Sequence, residues 1–564
     1  MKIKHLFGLA VIAAMTASCS SNEDLGNPGS GTNEAGVGYA TFTINLPTTS
    51  GTRAGDPTFE AGDPKEYDVN DATLLIFKEA GSSENDYTFV ESVNLGSMAP
   101  WKDPSETGVT THAKITAKLN KINTTDKFYA LVLLNNGTES SKKVDLPDDN
   151  QTFSAWNEAK VTDKIANTDA GFYMANAPLY KANKVTTLVP IESTKIYPTE
   201  AQAASNPSTD IYVERGLAKV TVTSASKATK TIADGTYKDD KVTIQNWGLD
   251  VTNKKSFPVH KTDGTGYDDI WSNTATPSGT NNATTLRFVD NNTTTVAKRV
   301  YWGVDPNYNI AKLNAETTAG KKERTDNFNY VGKDKLTATT SDAQYCLENT
   351  FNLDNMMQGQ TTRVVFKAKY VPKGFTEGAT FYMVGKNTAI WTEDNLKDEI
   401  VAAVTKVVPS ATTANTTVDL ANTENDITKA GNHLLALSNI SVTGVTLDQT
   451  NIDAINTKLG LKDGEGISTY QDAEAYYIAR VKHFGVLTPW KAGQSYGTDN
   501  LSFLGRYGVL RNNWYELTVD KVSGPGYPDV PEVKPNVPDD ENFKYLSVSV
   551  KILSWAKWSH SYDL

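Results

Sequence analysis

The sequence predicts an all-β protein made of β-sandwich domains in tandem, and three observations predict it. Short runs that are apolar at every second position, or rich in β-branched residues, recur along the chain. Clusters of Asn, Asp and Gly separate them. Helical spacing is confined to two places within one polar stretch. The 564 residues allow several domains or two larger all-β ones. Lys and Arg number 55 against 66 Asp and Glu, a formal charge of −11, with no basic block interleaved with aromatics. That balance argues against a nucleic-acid partner.

Taken in order, residues 1–18 read as an export signal, with Lys2 and Lys4 ahead of an apolar run too short to span a bilayer. The run ends in Thr16-Ala17-Ser18-Cys19, the pattern of a lipobox in which Cys19 takes the acyl chains, such as palmitate; Thr16 stands where Leu is usual. An ordinary secretory signal cut nearby is the alternative. Residues 20–38 form a polar tether with little to bury. Acylation would place the precursor at the outer membrane of a Gram-negative envelope. No later apolar run reaches the roughly 18 residues that a membrane-spanning helix needs.

Strand signals fall at 39–46, 72–77, 127–134, 218–223, 241–251, 361–371, 379–384 and 514–522. In the first, Ala40, Phe42, Ile44 and Leu46 alternate with Thr41, Thr43 and Asn45. The helical spacing is that of Leu396, Ile400, Val404 and Val407 behind a Thr392 N-cap, then of Ile452, Ile455 and Leu459 before Gly460. Both lie in a Thr-rich insertion at about 386–470. The internal domain boundary is expected within 224–240, a run of Ser, Ala, Thr, Lys and Gly. At 524–540 five prolines, Pro525, Pro528, Pro531, Pro535 and Pro538, predict an extended strut about 50 Å long at roughly 3.1 Å per residue. Beyond it Leu546, Val548, Val550, Ile552, Ala556, Trp558, Tyr562 and Leu564 fall on alternate positions, with a slackening near Ser554 and Trp555 that allows two short strands around a bend. A terminal strand this apolar must find a sheet.

Residues that carry chemistry are sparse. The six histidines show no HxH or HxxxH spacing, there is no Gly-x-Ser-x-Gly elbow and no phosphate loop. Cys346, the one cysteine besides Cys19, reads as a small buried hydrophobe. Neither an enzyme, a metal nor a cofactor is expected. Arg53 is different, being the only arginine before Arg215 and sitting among small polar residues at 48–56, an exposed loop that an arginine-specific protease could enter. Cleavage between Arg53 and Ala54 would release the strand of Ala40, Phe42, Ile44 and Leu46. A solvated loop arginine is the bland alternative.

Several blocks in this order resemble the fimbrillins of type V pili, the protease-assembled fimbriae of Bacteroidetes. They are the lipobox at Cys19, the segment GYATFTINLPTTSGTRAG, Val213-Glu214-Arg215 followed by Ala218-Lys219-Val220, and YCLENTF at 345–351. Arg511-Asn512 with Trp514-Tyr515-Glu516-Leu517, Gly524-Pro525-Gly526, and LSVSVKILSW at 546–555 complete the set. The length and insertion look more like the minor-type major fimbrillin than the fimbrillin-A type.

The resemblance implies two tandem transthyretin-like β-sandwich domains with a few short helices. Residues 1–18 would be the signal, 19–53 a propeptide, 54–230 and 231–523 the two domains, 524–542 a linker and 543–564 the donor segment. It implies a structural pilin subunit that is cleaved after Arg53 and polymerises by donor-strand exchange, with Leu546, Val548, Val550, Ile552, Trp555, Trp558, Tyr562 and Leu564 as the donated side chains. Its partners would be other copies, anchor and tip subunits, an Arg-specific surface protease and surface ligands in adhesion and biofilm formation. A stalk or a tip role is left open. The competing reading is a monomeric surface lipoprotein that binds glycans or acts as an adhesin.

Overall fold

The computed structural model describes residues 30–45, 63–98, 112–123, 125–181, 184–262, 298–300, 302–483, 505–539 and 546–555. Strands dominate these residues. In the first part, β1 (Gly38–Asn45), β2 (Val69–Lys78), β3 (Thr88–Met98), β4 (His112–Leu119), β5 (Phe128–Leu134), β6 (Met174–Asn176) and β7 (Thr209–Arg215) form an eight-stranded sheet with Val189–Ile191. Its order is β3-β2-β5-β6-β7-β1-β4, with Val189–Ile191 paired to β5. Only β1 and β7, among these pairs, run parallel. The sheet curls until its edges meet: the Glu91 carboxylate on β3 accepts the backbone N–H groups of Asn120 and Lys121, just past β4, at 3.0 and 2.8 Å. Inside lie Phe42, Ile44, Leu74, Ile76, Leu133 and Val213, all fully buried. Each such side chain contributes roughly 1.5–3 kcal/mol of burial.

β8 (Leu217–Val222) follows β7 after a single residue, Gly216, so one extended run crosses into the second part. A Cβ at Gly216 would stand 2.8 Å from Ile165, which is why the crossing carries glycine. The second part comprises β8, β9 (Lys241–Asp250), β10 (Ala343–Leu347), β11 (Arg363–Val371), β12 (Glu474–Arg480), β13 (Asn513–Val522) and β14 (Leu546–Ser554). One sheet has the order β10-β8-β13-β14, and the other runs from Lys230–Thr231 through β9 and β11 to β12. They enclose Val220, Trp247, Phe366, Tyr477 and Leu517 as a sandwich. The all-β, sandwich-built class read from the alternation is the class observed.

The change of sheet falls at Gly216, and the turn-rich run 224–240 lies in the second part, where Ile232 and Tyr237 join its core. The proline-rich run is not a free strut, as described below. The stretch expected as an insertion has its own small core. Its helix Glu393–Val407 starts at Thr392, whose side chain accepts from the Asn395 N–H, and buries Leu396, Ile400 and Val404. Helix Gln449–Lys458 adds Ile452 and Ile455. No helix among the described residues is long and apolar enough to cross a membrane.

Candidate functional site

β1 is an internal strand. It pairs in parallel with β7, Phe42 opposite Thr209 and Asn45 opposite Tyr212, and antiparallel with β4 along its whole length. Alternation sends Ala40, Phe42 and Ile44 inward, where all three are fully buried. Thr41 and Thr43 on the other face bond Thr116 and Ser208 through their hydroxyls at 2.8 and 2.5 Å. Both backbone edges and one face of this strand are thus satisfied by neighbours distant in sequence.

Among the described residues β14 is an edge strand. It pairs antiparallel with β13, Leu546 opposite Val522, Ile552 opposite Tyr515 and Ser554 opposite Asn513. Val548 and Val550 are half-buried against the second core, while Ser547 and Ser549 are exposed. Directly after the strand Trp555 is 1% exposed and sits in a socket at the seam between the two parts. Its indole N–H donates to Glu66 Oε2 at 2.7 Å, and Arg215 Nη1 donates to its carbonyl at 2.8 Å. The ring stacks on Tyr345 at 5.7 Å, meets Phe172 edge-on at 5.6 Å, and lies 4.7 Å from the Arg215 guanidinium. Glu66 also takes the Lys219 ammonium at 2.7 Å and the Tyr345 hydroxyl at 2.5 Å. Burial pushes this carboxyl up, but those donors and the Lys219 charge outweigh it and hold it below its ordinary value.

The proline-rich run lies along the body. A polyproline segment makes no internal hydrogen bonds, so its amides are open to outside partners. Tyr527 exchanges two backbone bonds with Tyr476 at 2.8 Å, Arg363 donates to the Pro531 carbonyl at 2.8 Å, and the Gln358 N–H donates to Val537 at 2.8 Å. Tyr477 and Tyr470 donate their hydroxyls to Gly524 and Gly526 at 2.8 and 3.0 Å. Gly526 has φ +67°, and a Cβ there would stand 2.6 Å from the Tyr476 carbonyl. The expected strut is therefore a docked strap.

Beside the socket the same seam holds a buried charge network. His260 lies 2.9 Å from Glu214 and 3.2 Å from Glu348, at ion-pair distance, and Glu348 lies 3.3 Å from Arg511. Burial would push the imidazole down, but Glu348 and Glu214 raise it to about 9. Burial would push Glu348 up, but His260 and Arg511 hold it at about 2. A Cβ at Gly303 would come 2.0 Å from the His260 ring, so the ring's place depends on that glycine. Burial pushes the nearby Asp305 carboxyl up to about 7. Cys346 is buried as well, its thiol pushed up to about 12.

The blocks quoted for the resemblance meet at this seam: Glu214 and Arg215, Lys219, Tyr345 and Glu348, Arg511 and Asn512, and Trp555. Glu66 was missed, because nothing in Asp63-Pro64-Lys65-Glu66 distinguishes it from a solvated acid. Cys19, Leu46, Arg53, Ala54, Trp558, Tyr562 and Leu564 lie outside the described residues.

Residues 468–561 match the model of the family described as major fimbrial subunit protein type IV, fimbrillin, C-terminal. No curated protein sequence matches the chain. Among solved structures, one from Parabacteroides distasonis ATCC 8503, named for cell adhesion, is 12% identical over 93% of this chain and 99% of its own, with a TM-score of 0.39. The tip fimbrial protein Mfa3 from Porphyromonas gingivalis, with C-terminal truncation, is 10% identical over 92% of this chain and 100% of its own, at 0.29. Likeness this remote carries no functional argument. The family match supports a fimbrial subunit, a structural protein of the cell surface. The match runs through β12, the strap and β14, so the carboxy-terminal region of this chain is similar to the C-terminal region of fimbrillins.

Proposed function

We propose that the chain is the pilin subunit of a protease-assembled fimbria. In this reading it is exported as a lipoprotein acylated at Cys19, cut after Arg53 at the surface, and joined head to tail with other copies in a filament that serves adhesion and biofilm formation. The observation that supports it most is the position of β1, an internal strand with Ala40, Phe42 and Ile44 fully buried, on the amino-terminal side of the only early arginine. Removing such a strand would expose the inner edges of β7 and β4 and empty three apolar pockets. Strand addition from another copy answers both needs. Repeated without closure, the contact builds a filament.

The docking of β14 narrows the donor. Pulling out Leu546, Val548, Val550 and Ile552 would break a ladder with β13 and empty the Trp555 socket. On this reading donation of β14 itself would carry that cost, and we propose that the donated side chains include Trp558, Tyr562 and Leu564, which follow it in the sequence.

The test is Arg-specific proteolysis of the purified precursor, followed by an unheated SDS gel and amino-terminal sequencing. A ladder of bands whose subunits begin at Ala54 is expected, and Arg53→Ala should remain a folded monomer. A wild-type protein that is cut and stays monomeric, with affinity for glycans, would favour the monomeric adhesin.

A further inference from the structure

We infer that Glu66 is a positioning residue for β14, and that its contact with Trp555 fixes the carboxy-terminal end of that strand. Among the described residues β14 pairs only with β13, and a strand held on one edge can fray from its end or slip in register. Trp555 removes that freedom, because both its side chain and its backbone are held. The indole N–H ends on Glu66, the carbonyl on Arg215, and the ring is enclosed by Tyr345, Phe172 and the Arg215 guanidinium.

Glu66 organises this socket. Its two carboxylate oxygens bind Trp555, Tyr345 and Lys219, and its backbone carbonyl accepts the Arg215 Nε–H at 2.7 Å. The Arg215 that grips Trp555 is therefore itself oriented by the Glu66 backbone. All of these groups are buried or half-buried, where a charge-assisted hydrogen bond is worth more than at the surface. Glu66 also precedes β2, the first strand after the proposed cleavage point. A residue just ahead of β2 thus holds the end of β14, almost the whole described chain away. The consequence for assembly rests on the pilin reading: a donor segment that starts from a fixed point meets its acceptor with less orientation to lose.

Hydrogen exchange on the full-length precursor tests the contact without polymerisation. Glu66→Gln keeps the shape and loses the charge; Trp555→Phe keeps the ring and loses the N–H. Each should speed exchange of the amides of 546–554 roughly tenfold, with β5 and β11 unchanged. The double variant should exceed either single one by much less than their product, since both remove one bond. Unchanged exchange at 546–554 in both variants would overturn the inference, as would equal acceleration throughout the chain, which marks a merely structural carboxylate. The pilin reading is judged separately on wild type, by whether Arg-specific cleavage yields filaments. If it does, Glu66→Gln should be cut normally and polymerise more slowly.

Discussion

β1 and β14 are both strands near an end of the chain, both alternate apolar and polar residues, and they are held in opposite ways. β1 has neighbours on both edges and fully buried apolar side chains; among the described residues β14 has one neighbour, half-buried valines and an anchor at its end. An internal strand cannot leave without opening the sheet, whereas an edge strand can be extended outward while its own pairing stays intact. The contrast assigns the two ends different work. On the pilin reading proposed above, the first end would be what a groove loses and the second a fixed strand ahead of the donated segment.

The largest effect that could break this contrast concerns Phe42. Phe42→Ala in the uncut precursor should cost about 3–5 kcal/mol in denaturant unfolding, because the pocket between β7 and β4 cannot collapse around the gap. Val550→Ala in β14 should cost about 1 kcal/mol, in keeping with its half-buried place. Equal costs would mean that the two strands are integrated alike.

A middle-sized effect comes from the seam between them. The folded His260 titrates at about 9 against an ordinary 6.5, so its charge stabilises the fold fully below about pH 6.5 and that gain is lost as pH rises through about 9. Glu348, at about 2 against 4.5, contributes above about pH 4.5 and loses its part as pH falls towards 2. Asp305, raised from 3.8 to about 7, has the opposite sign: its ionisation costs stability as pH climbs between those values. The melting midpoint should therefore fall between about pH 6.5 and 9, and His260→Asn should melt lower at pH 6.5 and lose most of that dependence. A wild-type midpoint flat across this range would show an uncharged His260. The smallest effect sharpens the picture of β14: Ser549→Ala, on its exposed face, should stay within about 0.5 kcal/mol in the same unfolding measurement.

Alternation made the strands legible, since burial on one face leaves a period of two in the sequence. The run 39–46 maps onto β1 and 514–522 onto β13 to within a residue or two, and the Thr392 cap with Leu396, Ile400 and Val404 placed the helix Glu393–Val407. What was not legible depends on partners far apart. Glu66 and Trp555 are 489 positions apart, and neither residue alone signals the other. The strap at 524–539 was misjudged because a proline-rich composition specifies an extended backbone but not whether carbonyls such as that of Pro531 meet a donor such as Arg363. The blocks around Glu214, Tyr345 and Arg511 could be recognised in order, while their convergence on one seam needed the fold.

The crossing at Gly216 also orders events in time. All strands of the first sheet come from residues 38–215, so most of its core is present once Arg215 has emerged, with Leu217, Val259, Leu347 and Trp555 still to come. β8 follows at once, yet its parallel neighbour is β13, with Lys219 opposite Trp514. Closing a loop of nearly 300 residues adds chain entropy only logarithmically, about 0.6 kcal/mol per doubling, but contacts so distant in sequence form slowly. A chain that emerges from its amino terminus must hold Ala218, Val220 and Val222 without their partner until the far end arrives. The second core is thus a late and aggregation-exposed step in folding, and the half-finished molecule presents an open strand edge beside a neighbour whose sheet is already complete.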